Sequence, residues 1–465
     1  MHLKQKSLSS RFIFMRLKFL VISVATLACF QARAADTQNL MQTYQQALSH
    51  DPVWASAQNS HLATQEKLAQ GNAMFLPTVT LNAGVSATQS DAKFFGNTTA
   101  TNVLRGGQNN FESYNYSVNV SQPIYRKQIR AQFEQAKSQV AQADKQLVLA
   151  QQSLILRTSK VYFDVLLAQD KIDLIGAQKA AINKQLEQAK ANFEVGTATI
   201  TDFNEAQARF DLVKAQEIAT LNDLEVKKRA IQSLIGNLPQ PLVGVRQDLV
   251  AQSPEPVEME KWVEVAQQSN LTIALQQQAV EIAAQEVERQ NAGHFPTLDA
   301  VAGYEDKYAN GTATGLGSGS DITSASIGLQ LQIPIYQGGF VSSKVREAVA
   351  NKQKALDDLE AAKRQADLET RSAYLNLASS VAQIKAYEQA LSSSQSQLDS
   401  TNLGYEVGVR TSVDVLNAQQ QYFSAKRDLL QSRYTYLVNI LSLKSAVGLL
   451  SEADLESVNQ QLVSR

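Results

Sequence analysis

Residues 125–193 read YRKQIRAQFEQAKSQVAQADKQLVLAQQSLILRTSKVYFDVLLAQDKIDLIGAQKAAINKQLEQAKANF. Within this stretch Phe133, Val140, Leu147, Leu154, Val161, Ala168, Ile175, Ile182 and Ala189 recur every seven residues without a polar interruption. An apolar heptad sustained over that span predicts a coiled coil. The neighbouring seam of Ile129, Ala136, Ala143 and Ala150 is small, so an adjacent helix can approach closely. No proline falls between Pro123 and Pro239. At 1.5 Å per residue, a helix over 125–193 is about 100 Å long, taller than an ordinary globular domain can contain.

The helix ends at Phe193-Glu194-Val195-Gly196, where the glycine suits a left-handed cap. Thr199 and Asp202 then spell a capping box, with Asp in place of Glu, for a returning helix over 201–235. The same plan recurs downstream. Leu377, Ile384, Leu391, Leu398 and Tyr405 form a second heptad in a long helix over 336–405, followed by Val407-Gly408, Thr411 with Asp414, and a returning helix over 412–447. Phe75-Leu76-Pro77-Thr78-Val79 is echoed by His294-Phe295-Pro296-Thr297-Leu298, and Gln122-Pro123-Ile124-Tyr125 by Ile333-Pro334-Ile335-Tyr336. The chain is a tandem duplication of helical hairpins whose tips lie far from what separates those landmarks.

What separates them has period two. Val79, Leu81, Ala83 and Val85 alternate with polar or small residues in a strand over 78–88, and Tyr114, Tyr116, Val118 and Val120 do so over 113–122. In the second repeat, strands over 297–305 and 323–333 carry Leu298, Ala300, Ala302 and Tyr304, then Ala325, Ile327, Leu329 and Leu331. Each strand has a dry and a wet side. In a soluble sandwich the dry side meets a second sheet, and in a membrane barrel it meets lipid while the wet side lines a lumen. Four strands cannot close a barrel, since the smallest have about eight, so on the barrel reading the chain oligomerises and the polar loops 89–110 and 311–320 face out of the cell.

Residues 1–34 carry Lys4, Lys6, Arg11, Arg16, Lys18 and Arg33 with no acid, around the apolar run 19–30 and the small-x-small Ala32-Arg33-Ala34. This is the layout of a secretory signal peptide. The only cysteine, Cys29, lies inside it, in a partial match to a lipoprotein box with an atypical Thr26. Loss of those six basic residues takes the formal charge from −1 to about −7, and no basic run remains to hold nucleic acid. The division that follows is a first repeat over 35–235, with a helical run over 53–72 before its first strand, a linker or equatorial segment over 236–256, a second repeat over 257–447 that opens with a helical run over 257–292, and an equatorial tail over 448–465. Four scattered histidines form no metal-spaced cluster, and Gly315-Leu316-Gly317-Ser318-Gly319 leads into no helix, so neither a metal enzyme nor a phosphate loop is expected. A pore-less coiled-coil stalk is the remaining alternative, and it leaves the four amphipathic strands unexplained.

Three motifs carry a family likeness: His294-Phe295-Pro296-Thr297-Leu298-Asp299, Ile333-Pro334-Ile335-Tyr336-Gln337-Gly338-Gly339, and the run from Gly404 through Tyr405-Glu406-Val407-Gly408-Val409-Arg410-Thr411-Ser412-Val413-Asp414 to Leu416. With the segments 39–47 and 443–448 they resemble the TolC family of outer membrane efflux proteins, the outer membrane factors of tripartite efflux and type I secretion systems. The resemblance implies an α+β membrane protein: a homotrimer with a 12-stranded β-barrel, four strands per subunit, in outer membrane lipid, continuous with a long α-helical coiled-coil barrel across the periplasm. It implies a passive duct with no cofactor. The partners it implies are a periplasmic adaptor and an inner-membrane transporter of the resistance-nodulation-division or ABC type. Carried over residue by residue, it makes Thr201, Asp202, Tyr405 and Arg410 links of a periplasmic gate. Asp414 and Asn417 become the aperture ring, and Val195, Gly196, Val407 and Gly408 the adaptor-docking tips. Asn417 departs from the family's second aperture acid, and one ring of three carboxylates is expected to hold polyvalent cations less tightly than two.

Overall fold

The computed structural model describes residues 37–463, apart from 94, 96–106, 247 and 314–318. The expected signal peptide over 1–34 with Cys29, and half or more of each polar loop, therefore lie outside the described residues.

Helix α1 (Leu40–His50) starts at Asn39, whose side chain accepts from Gln42 N while the Gln42 side chain accepts from Asn39 N. Asp51 caps α2 (Pro52–Ala73), with Pro52 at a first-turn position where its missing N–H costs nothing. Strands β1 (Thr78–Ala92) and β2 (Gly107–Tyr125) follow, then the long helix α3 (Lys127–Glu194) and the returning α4 (Ile200–Ile235). After β3 (Gly244–Val245), helices α5 (Met259–Ser269) and α6 (Leu271–Asn291) lead into β4 (Thr297–Ala309) and β5 (Ser320–Gln332). Helices α7 (Phe340–Glu406), α8 (Ser412–Ala446) and α9 (Glu452–Asn459) and strand β6 (Leu462–Val463) complete the chain.

The four long strands form one antiparallel sheet in the order β1-β2-β4-β5. Its register aligns Val79, Val120, Ala302 and Ile327, and next to them Leu81, Val118, Tyr304 and Ala325, on one face. The rows Thr80, Asn119, Gly303, Ser326 and Asn82, Ser117, Glu305, Ser324 fall on the other. Among the described residues nothing covers the apolar face: Leu81 is 70% exposed and Ile327 90%. Tyr114 and Tyr308 stack at 4.7 Å on that face. The register shifts between Pro123 and Tyr125, as a proline without an N–H at the sheet end requires.

Below the sheet α3 runs alongside α2, α6, α4 and α8, and α7 alongside α6 and α8. The main core sits at the waist, where Tyr162, Phe163 and Leu166 of α3, Ile384 of α7 and Leu437 and Leu441 of α8 are fully enclosed. The β3–β6 pair and α9 wrap this waist and bring Leu242, Leu249, Leu455 and Val458 into the main core.

Three sequence expectations need correction. Each strand pair extends beyond the alternating stretch, because β1 and β2 stay in register out to Ala92 and Gly107. The helical run from 257 to 292 breaks at Asn270, whose side-chain oxygen accepts from Thr272 N and Ile273 N and starts a new helix. The second long helix begins at Phe340, not at 336, because Gly338 and Gly339 take φ of +62° and +80°, outside the right-handed helical region.

Between α6 and α3, Glu286 accepts from Arg289 Nε at 2.7 Å and Nη2 at 2.5 Å, from Gln290 at 2.6 Å and from Gln135 at 3.3 Å. The Arg289 fork holds the Glu286 carboxyl below the ordinary glutamate range against the opposing effect of burial, and Gln290 and Gln135 add to the pull. A carboxyl depressed on folding stabilises above its unfolded pKa of about 4.3, and that contribution is lost as pH falls through the folded value. The melting-temperature gap between wild type and Glu286→Gln is expected to be constant above about pH 5.5 and to shrink below about pH 4. A circular-dichroism series showing a gap independent of pH would contradict this.

Candidate functional site

At the end remote from the sheet, each hairpin turns on one glycine. Gly196 takes φ +78°, and the Thr197 and Ala198 N–H groups close on Asn192 O at 2.8 and 3.2 Å. Gly408 takes φ +80°, and Val409 and Arg410 donate to Gly404 O at 2.8 and 3.1 Å. Both turns satisfy the last carbonyls of the incoming helix while pushing apolar side chains outward. Val195 and Val409 are 73% and 76% exposed, and Val407 is similarly open.

The helices leaving the turns are capped reciprocally. Asp202 Oδ2 accepts from Thr199 N at 3.0 Å and Thr199 Oγ1 at 2.7 Å. Asp414 Oδ2 accepts from Thr411 N and Thr411 Oγ1, both at 2.9 Å. The Thr411 N–H and hydroxyl, assisted by the charge of Arg410, hold the Asp414 carboxyl below the usual carboxylate range, so it is ionised at neutral pH.

Of the four residues expected to link the repeats, the structure brings one into a cross-repeat bond within the subunit. Tyr405 Oη accepts from Asn192 Nδ2 at 3.2 Å. Asp202 faces its own cap, and the Thr201 side chain is exposed. Arg410 is exposed and folds back over Gly404, where an added Cβ would come within 2.8 Å of its Cγ. Asp414 and Asn417 lie one turn apart on α8, and Asn417 is exposed but engaged: its Oδ1 accepts from Arg209 Nη2 at 3.2 Å.

Arg209 is the residue that motif reading missed. It lies one heptad beyond Asp202, which places it on the same face of α4, but nothing in its own neighbourhood marks it. Beside it Ile182 and Ala189 of α3, Ala206 and Val213 of α4 and Leu416 of α8 form a second apolar cluster that seats α8 against the first hairpin. Among the described residues no group of acids, histidines or cysteines is arranged to hold a metal, and no helix is long and apolar enough to cross a membrane.

The model of the family described as outer membrane efflux protein matches residues 43–237 and 262–449. The outer membrane protein TolC of Vibrio cholerae serotype O1 is 33% identical over 96% of this chain and 98% of its own. TolC of Escherichia coli K12 is 34% identical over 92% of this chain and 86% of its own. The alkaline protease secretion protein AprF of Pseudomonas aeruginosa is 30% identical over 91% of this chain and 87% of its own. The fold matches the crystal structure of the outer membrane protein VceC from Vibrio cholerae, with a TM-score of 0.70 at 21% identity over 88% of this chain and 96% of that one. It matches CusC with a TM-score of 0.74 at 18% identity over 89% of this chain and 92% of that one. The chain belongs to the outer membrane efflux protein family.

Proposed function

We propose that three copies of this chain close one twelve-stranded barrel in the outer membrane and continue it as a helical duct through the periplasm, a passive exit for small molecules or secreted proteins. The observation that carries this reading is the sheet: four strands in one layer, apolar on a face that no described residue covers, with the outer edges of β1 and β5 unpaired among the described residues. An open apolar sheet with two free edges is an aggregation hazard unless copies join edge to edge and lipid meets the dry face. Three sets of four strands suffice to close a barrel. The wet rows of Thr, Asn and Ser then line a water-filled lumen.

The tips form the periplasmic end. Their exposed valines offer apolar contacts to an adaptor that also engages an inner-membrane transporter, of the resistance-nodulation-division or ABC type. The ionised Asp414 supplies one ring of three charges at the aperture. On this reading Thr201, Asp202 and Arg410, which make no cross-repeat bond among the described residues, bond across subunit boundaries. A leader at residues 1–34 provides for export.

Detergent extraction followed by native mass measurement and planar-bilayer recording tests the assembly. The expected result is a heat-modifiable trimer that inserts into lipid and conducts ions. A water-soluble elongated monomer without channel activity would instead support a pore-less stalk.

A further inference from the structure

We propose that Arg209 is the intrasubunit latch of the closed duct: its guanidinium fastens α8 to α4 through Asn417 and Gln420, making Asn417 part of the latch rather than a free member of an aperture ring. The proposal rests on the reading of the tips as the closing end of the duct.

Every nitrogen of the Arg209 guanidinium is engaged. Nη1 donates to Gln420 Oε1 at 2.5 Å, Nη2 to Asn417 Oδ1 at 3.2 Å, and Nε to Glu205 Oε1 at 3.2 Å. Glu205 lies four residues earlier on α4 and aims the fork, while the two amide oxygens lie one turn apart on α8 and so face the same way. Leu416, adjacent to Asn417, is buried in the second apolar cluster with Ala206 and Val213, which brings the two helices to this spacing. A planar fork with three fixed donors matches two acceptors a helical turn apart, whereas a lysine ammonium is a single point charge. The acceptors on α8 are neutral amides, and charge–dipole attraction falls off faster with distance than attraction between two charges. The latch is therefore strong only in contact and gives way once α8 moves off α4. A carboxylate at 417 would hold Arg209 over a longer range.

The wild-type trimer, Arg209→Ala, Arg209→Lys and Asn417→Asp are compared in planar bilayers, with trivalent hexamminecobalt as the blocking probe. Loss of charge-assisted bonds of this type is expected to raise open probability about tenfold in Arg209→Ala, and less in Arg209→Lys. Asn417→Asp is expected to lower open probability in the wild-type background and to leave it unchanged in the Arg209→Ala background, where it only strengthens cobalt block. Unchanged gating in Arg209→Ala trimers, or an Asn417→Asp effect confined to block in both backgrounds, overturns the latch while leaving the duct standing. Absence of any wild-type conductance overturns the duct reading itself.

A second measurement guards against a misassembled Arg209→Ala trimer. Cys29 is the sole native cysteine, so Arg209→Cys with Asn417→Cys in a Cys29→Ser background can be bridged selectively by a short bismaleimide. Bridging is expected to lock the closed conductance level. Bridged channels that open normally would also overturn the latch.

Discussion

Leu81→Arg is expected to abolish assembly of the outer membrane trimer, while Asn82→Arg one residue away leaves it largely intact. Leu81 stands on the exposed apolar face in the row with Val118, Tyr304 and Ala325, two same-face rows from the stacked Tyr114–Tyr308 pair. A basic residue facing lipid near the bilayer midplane costs about 2–4 kcal/mol, and the proposed homotrimer would incur it three times, for a total of about 6–12 kcal/mol. That is comparable with the whole stability of a folded domain. Asn82 points the other way, in the row with Ser117, Glu305 and Ser324, where water solvates the new charge. Semi-native electrophoresis of membrane fractions distinguishes trimer from monomer. Equal trimer yield from both variants would sink the assignment of the apolar face to lipid.

The second large effect is expected at the joint between sheet and tunnel. Arg126 is the single residue between β2 and α3, and its Nε and Nη2 donate to Asp299 Oδ1 and Oδ2 at 2.7 and 2.6 Å. This fork binds the end of the first hairpin of strands to β4 of the second, and Asp299 is only 8% exposed. Removing one partner of a buried pair typically costs 3–5 kcal/mol, because the other charge is left uncompensated. The Arg126 side chain is 41% exposed, so water offsets part of that loss, and Arg126→Ala is expected to cost about 2–3 kcal/mol per subunit. Adding Asp299→Asn to Arg126→Ala removes the stranded charge and is expected to recover most of the stability. Thermal dissociation of the purified trimer reads both. A double variant no more stable than Arg126→Ala would mean that the fork acts through packing of its aliphatic stem instead.

The two effects differ in how far the sequence reveals them. Leu81 was visible as a lipid-facing candidate because alternation along a strand is a property of neighbouring residues, and strand pairing then carries that pattern across the sheet. The Arg126–Asp299 fork joins residues 173 apart, and the latch from Arg209 to Asn417 joins residues 208 apart. Neither pair shares a local pattern. At the tips, the capping of Asp202 and Asp414 was legible because Thr199 and Thr411 stand three residues away, within the reach of one helical turn. The helix break at Asn270 was less so: an Asn within a helical run becomes a cap only when its surroundings favour it, and here its amide donates to Ala446 O at 2.8 Å on the far side of the waist.

Sequence by itself determined the two kinds of wall. A heptad from Phe133 to Ala189 commits the chain to a helix of coiled-coil height, alternation commits four segments to two-faced strands, and the repeat ensures that each occurs twice. These follow from periodicities of 3.5 and 2 residues, which are short-range and survive without knowledge of the partner. Only the tertiary structure decided which helices touch and where polar groups close across the repeats, including Asn192 to Tyr405, Arg126 to Asp299, and Arg209 to Asn417 and Gln420. Those contacts depend on the axial offset between helices tens of ångströms long. The packing of residues such as Leu416 into the cluster around Ala206 sets that offset, and no repeat in the sequence records it.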